Sequence, residues 1–331
     1  MHKVIFDTDP GIDDAMALLF LHHHPDVELV GITTVFGNGT IEETTRNALY
    51  LKEAWGIAAP VAQGAAAPID PARTRSAPPR IVHGDNALGN FPLPDRIAAQ
   101  PDPRPAHRFI IDTVRADPGN VSIVAVGRMT NLALALAEAP DIASQVRQVV
   151  LMGGAFGVPG NVSPVAEANI MGDPEAADIV MTAPWKLAAI GLDVTMRTVM
   201  TRSHLAELAR RGGERVQFLS SISQHYFDFY SRFLEDGMAV HDSCACAYLV
   251  APGLFTMRSG PIRVVASGIA DGQTIQKPDG RRFPPNPWDG KPSQLACIDI
   301  DSEGVLELIG DTIVDAPFDL AVSGLHPSTP T

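Results

Sequence analysis

Five short, nearly continuous apolar runs constrain this chain most: KVIFD (3–7), VELVGITTV (27–35), VSIVAV (121–126), QVVLM (148–152) and KLAAIGL (186–192). Helical patterning fills the intervals, at DDAMALLFLHHH (13–24), IEETTRNALYLKEAW (41–55), HRFIIDTVRA (107–116), TNLALALAEA (130–139) and PEAADIVMT (174–182). A strand that is apolar on both sides must be covered on both faces, and helices between such strands supply the cover. The expected fold is α/β, a mostly parallel central sheet with helices on both faces, Rossmann-like. Ligands of such sheets bind beyond the carboxyl ends of the strands. Past residue 191 the pattern loosens: helical stretches near 203–211 and 215–234, then PIRVVASGI, a turn-rich KPDGRRFPPNPWDG and a closing strand–helix pair. With 331 residues, 45% of them hydrophobic, the chain can bury a sizeable core.

At the ligand-binding edge of that sheet, FDTDPGIDDAMALLF (6–20) crowds Asp7, Asp9, Asp13 and Asp14 together. Two carboxylates ~4 Å apart in an effective dielectric of about 20 repel by roughly 4 kcal/mol. Capping and the helix dipole account for Asp13 and Asp14 at a helix start. They do not account for Asp7 and Asp9 as well, and Pro10-Gly11 turns the chain so that all four share a small volume. A bound cation is therefore favoured over capping alone. With no Cys or His in the cluster, Ca²⁺ or Mg²⁺ is favoured over Zn²⁺.

Lys and Arg number 25 against 38 Asp and Glu, a formal net charge of −13. That disfavours nucleic acid or an anionic membrane as a partner, because phosphate attraction needs a basic face. Three cysteines are too few for a disulfide framework. MHKVIFDTDP lacks the pattern of a signal peptide, and no run of about 18 apolar residues suggests a membrane span. A cytoplasmic protein is expected.

DTDPGIDDA resembles the signature of the inosine–uridine-preferring nucleoside hydrolases, and further fragments follow in that family's order. They are VFGN, ending at Asn38; HGDNALG, starting at His83; VAVGRMTNLALAL; VLMGGA, with Met152; GNVSPVAEANIMGDPEAA (160–177); and HDSCAC, from His241. The ordered set, from Asp7 to Asp242, carries the resemblance. It implies the nucleoside hydrolase fold and Ca²⁺-dependent hydrolysis of ribonucleosides to free base and ribose. It implies calcium held by Asp9, Asp14, Asp242 and the carbonyl of Val126, with Asp9 as general base and Asp7 bracing the ligands from behind. Asp13, Asn38, Asn161, Glu167 and Asn169 would hold ribose hydroxyls, with Met152, His83 and Asp242 also lining the substrate. His241 would protonate the departing base. The repulsion among the acids would thereby become a preformed metal cage. Homodimers or homotetramers are the family's habit.

The chain departs from the family pattern twice. Arg128 stands where Pro is common, beside the carbonyl of Val126, and Ala168 stands where relatives carry an aromatic. Base stacking is then expected from Tyr226, Phe227 or Tyr230. Because the acids near residue 10, the clamp near 165 and the His–Asp pair near 241 must converge, one domain is expected over 1–325, with 326–331 frayed.

Two other functions compete. D-x-D after a first strand also suits a Mg²⁺-dependent phosphatase with Asp7 as nucleophile, although no Lys is convincingly placed for phosphate. A ribose-binding or metal-stabilised protein without turnover would use the same pocket. Other features read as structural. His22, His23 and His24 end a helix where cations are favourable, so a surface role outweighs a metal tag. Cys244 and Cys246 read as buried packing. MGGAFG fits no phosphate-loop pattern. In GDPEAAD, Asp173 and Pro174 open a helix. The Ala-, Pro- and Gly-rich connection 64–105 reads as a mobile loop near the site or as padding.

Overall fold

A computed structural model of the chain describes residues 1–73 and 77–314; the expected frayed tail lies outside them. The strands are β1 (His2–Thr8), β2 (Val27–Thr34), β3 (Val61–Gln63), β4 (Val121–Ala125), β5 (Val149–Met152), β6 (Leu187–Ile190), β7 (Val199–Met200), β8 (Met238–Ala239), β9 (Phe255–Gly260), β10 (Ile262–Val264), β11 (Thr274–Gln276) and β12 (Gln294–Ile300). Eight of them form one sheet in the order β3-β2-β1-β4-β5-β6-β12-β9. All neighbours in it are parallel except β9, which runs antiparallel to β12. The remaining four make two small antiparallel ladders, β7 with β8 and β10 with β11. The expected mostly parallel sheet is present.

The helices are α1 (Ile12–His23), α2 (Ile41–Trp55), α3 (Arg80–His83), α4 (Ala106–Ala116), α5 (Thr130–Glu138), α6 (Ala168–Gly172), α7 (Pro174–Thr182), α8 (Leu192–Thr195), α9 (Arg202–Arg211), α10 (Gly213–Tyr230), α11 (His241–Val250) and α12 (Ser302–Val314). Alternate residues of each central strand enter opposite cores, as the two-residue period of a strand requires. Val4, Phe6, Val124, Val150 and Ile190 face a core built with α1, α2, α9, α10, α11 and α12. Ile5, Ile123, Val149, Leu151 and Ala189 face a second core built with α4, α5 and α7. Each fully buried large aliphatic contributes about 1.5–3 kcal/mol, so both faces bind their helices firmly.

The chain leaves β1 toward β2 and β3 on one side and returns as β4 on the other. The ends of β1 and β4 therefore flank the switch point, where a crevice opens beyond the strands. Helix α1 starts there and is buried from Ile12 to Leu21, Asp13 and Asp14 included. Helix α2 opens with a capping box between Thr40 and Glu43, and Gly56 closes it at φ 68.

Some boundaries differ from expectation. Helix α10 ends at Tyr230, whose carbonyl accepts the N–H groups of Phe233 and Leu234 in a closing turn. Within PIRVVASGI a strand covers Ile262–Val264. Asp173 and Pro174 open α7 as expected, with the Asp173 side chain accepting from Ala176 N. Cys244 and Cys246 are buried in the first core. The three histidines at the end of α1, His22 to His24, are half-buried. Arg215 donates to His23 Nε2 at 2.8 Å, an arrangement that requires a neutral ring. Burial, aided by the nearby His22 and Arg215, takes His23 down to about 4. Among the described residues no helix is long and apolar enough to cross a membrane.

Candidate active site

The four acids of the opening motif are buried at the carboxyl end of β1. Asp7 Oδ1 accepts from Thr33 Oγ1 of β2 at 2.6 Å and from Asn131 Nδ2 of α5 at 2.8 Å. Burial pushes its carboxyl up to about 7, although those hydrogen bonds oppose the rise. Asp9 Oδ2 accepts the main-chain N–H of Asn38 at 2.8 Å and Arg128 Nη1 at 2.6 Å. Its Oδ1 is buried without a hydrogen-bond partner. Asp14 Oδ1 takes the Thr8 hydroxyl and the N–H of Asp9, and its Oδ2 takes Gly11 N at 2.9 Å and Asn38 Nδ2 at 3.0 Å. Asp13 reaches another helix: its Oδ2 accepts His241 N at 2.7 Å and Asp242 N at 3.0 Å, leaving Oδ1 buried and unpartnered.

Across the crevice, Glu167 caps α6, accepting from Asn169 N, Ile170 N and Gly154 N. Asn169 Nδ2 donates to the Val126 carbonyl at 2.7 Å and the Met152 carbonyl at 3.2 Å, joining the ends of β4 and β5. Asn161 is exposed and accepts from Ala168 N at 3.0 Å. Burial raises Asp242 well above the usual carboxylate range, and Asp13, Asp14, Asp9 and Glu167 add to the rise. Acids from the opening motif, from 167 and from 242 therefore share one field.

His241 begins α11. Its Nε2 lies 2.6 Å from Tyr230 Oη and its Nδ1 lies 2.7 Å from Thr195 Oγ1, and burial lowers the ring to about 4. His83 accepts Ile12 N at Nδ1, 3.4 Å away, and stacks on Tyr226 with centroids 5.5 Å apart. The connection 64–105 thus delivers a ring to the opening motif. Phe227, one of the expected stacking residues, is buried under Arg202 in the first core, whereas Tyr226 and Tyr230 contact the two histidines.

A sequence model of the inosine-uridine preferring nucleoside hydrolases matches residues 4–307. The chain belongs to that family. Membership makes it a ribonucleoside hydrolase by kind. It is 41% identical to a probable uridine nucleosidase 1 of Oryza sativa subsp. japonica over 318 residues, covering 94% of this chain and 96% of that one. Its fold superposes on a plant nucleoside hydrolase with a TM-score of 0.87 at 35% identity, covering 95% of this chain and 99% of the other. A purine-preferring ribonucleoside hydrolase from Gardnerella vaginalis gives a TM-score of 0.87 at 32% identity, with 94% and 98% covered.

Among the described residues no three His, Cys, Asp or Glu side chains stand together as ligands of one ion. Arg128 and Asn38 hold Asp9, Thr8 and Asn38 hold Asp14, and Asn169 donates to the Val126 carbonyl. The donor chemistry nevertheless fits a hard cation. Buried carboxylates and a carbonyl are oxygen donors, and Asp9 Oδ1 is an orphaned acceptor. Thr195 and Tyr230 as partners of His241, and Asn131 behind Asp7, were not anticipated from the sequence. No local pattern announces them.

Proposed function

We propose that this protein is a Ca²⁺-dependent hydrolase of the N-glycosidic bond of ribonucleosides, releasing free base and ribose. The observation that carries the reading is the unpartnered, buried Asp9 Oδ1 among converging acids at the switch point of the sheet. Asp9, Asp14, Asp242 and the Val126 carbonyl would hold the ion, which supplies positive charge that acidifies a nearby water. Asp9 takes the proton from the attacking water. Burial makes Asp9 a stronger base than an exposed carboxylate, while the neighbouring Arg128 moderates that gain.

Asp13, Asn38, Asn161, Glu167 and Asn169, with Met152 and Asp242, orient the ribose, which aligns the anomeric carbon with the water. The surrounding carboxylates stabilise positive charge as it develops on the sugar. Burial keeps His241 neutral near pH 7. Negative charge building on the departing base raises the ring's proton affinity, so His241 takes up a proton from water and passes it to a nitrogen of the base, returning to the neutral form, while the Tyr230 and Thr195 hydroxyls hold the ring in place. His83 lines the same crevice. The relatives' names point to uridine in one case and purines in another, so the reading covers ribonucleosides without choosing a base.

The test is uridine and inosine hydrolysis by the wild type and Asp9→Ala, each with chelator and with calcium restored. Chelation should silence the wild type reversibly, and Asp9→Ala should be inactive throughout. Undiminished turnover in Asp9→Ala sinks the mechanism. Release of phosphate from a nucleoside monophosphate, with the nucleoside left intact, would favour the phosphatase.

A further inference from the structure

Arg128 places a fixed positive charge among the acids. It is 8% exposed, and its Nη1 donates to Asp9 Oδ2 at 2.6 Å. Two glycines make its path possible. A Cβ on Gly37 would overlap both Nη1 and the Asp9 carboxylate, and one on Gly172 would sit 2.5 Å from Nε. The guanidinium lies 5.6 Å from the centroid of Phe36, a contact that favours a cation over the ring face. Its Nε is buried without a partner, so the group is aimed by Asp9 rather than saturated by its surroundings. Beside it opens a cavity of about 350 Å³ lined by Phe36, Gly37, Thr40, Ala77, Arg128 and Gly172.

We propose that Arg128 is an internal counter-ion of Asp9 that replaces the divalent cation when the site is without it, and thereby sets how tightly that cation is held. The inference rests on the cation site proposed above. A desolvated carboxylate without a nearby positive charge is costly, and Arg128 offsets that cost in the metal-free protein. A cation arriving at the free Asp9 Oδ1 meets the like charge on the other side of the same carboxylate. Either the guanidinium stays and repels it, or it swings into the adjoining cavity and gives up its bond to Asp9. Both routes weaken cation binding. Arg128 is thus a positioning residue, acting through Asp9.

The experiment is calcium titration by calorimetry on chelator-treated full-length protein, paired with thermal melting with and without calcium. Arg128→Gln and Arg128→Ala should bind calcium about tenfold or more tightly than the wild type, because a repelling charge is gone. Without calcium both should melt several degrees below the wild type, and calcium should raise their melting temperature further than it raises that of the wild type. Arg128→Lys, which keeps the charge, should bind within a few-fold of the wild type. If Arg128→Ala fails to fold, Arg128→Gln carries the test, since its amide fills more of the slot. Unchanged or weaker calcium binding in Arg128→Gln, or a metal-free melting temperature equal to the wild type, overturns the counter-ion. A wild type that binds no calcium, or an Asp9→Ala variant that binds it equally well, overturns instead the cation site itself. One calcium bound by the wild type and lost in Asp9→Ala leaves the Arg128 variants to decide.

Discussion

The carboxylate of Asp13 accepts the main-chain N–H of His241 at 2.7 Å, joining residues 228 positions apart. An acid in the first turn of α1 thereby caps α11 and fixes the backbone of both His241 and Asp242. Asp13→Ala should cost about 2–4 kcal/mol in urea denaturation, because two buried N–H groups lose their acceptor. Asp13→Asn keeps an acceptor oxygen and should recover most of that stability, while activity stays low if the charge is needed at the sugar. An Asp13→Ala protein as stable as the wild type would contradict the capping role.

Asn131 ties three segments together. It donates to Asp7 Oδ1 and to the Thr34 carbonyl, and it accepts from Ala65 N at 2.9 Å. Replacing it by Ala should destabilise the fold by roughly 2–4 kcal/mol, since Ala65 N and the Thr34 carbonyl lose this side-chain partner and Asp7 Oδ1 keeps only the Thr33 hydroxyl. A loss below about 1 kcal/mol in denaturant titration would mean that water substitutes there.

His23 should shape the acid limb of stability. Its folded pKa of about 4 lies below the ordinary histidine value of 6.5, so the unfolded chain binds more protons between those pH values. Its contribution is therefore present above pH 6.5 and is lost as pH falls toward 4. His23→Gln should flatten the decline in melting temperature between pH 7 and 5 while leaving the value at pH 8 nearly unchanged. A decline as steep as that of the wild type would assign the acid sensitivity to other groups.

His241→Ala should separate substrates by their leaving group. Hydrolysis of uridine or inosine should fall by roughly 10²–10⁴, the usual contribution of a positioned acid. A riboside of p-nitrophenol, which departs without protonation, should lose less than about tenfold by the same reasoning. Equal losses on both would make the ring a structural element and remove its acid role.

The sheet was legible because strands buried on both faces are apolar throughout, and Val4 to Phe6 shows it: consecutive residues enter different cores. The acids were legible because their crowding is local. In the sequence Arg128 is visible only as a departure from the family pattern, because its aim at Asp9 spans 119 positions and depends on two glycines that give it room. The bonds from His241 to Thr195 and Tyr230 are hidden for the same reason: hydroxyls reach a ring only after α8, α10 and α11 pack. A position at a helix end suggests a cation, but at His23 the Arg215 guanidinium on α10 requires a neutral ring, a contact the sequence does not display.

The bond from Asp13 to α11 has a temporal side. During synthesis the acidic motif emerges more than two hundred residues before the amides that receive Asp13, which belong to His241 and Asp242. Until translation has passed that point, the nascent chain carries an acid that lacks the two amides it holds in the finished fold.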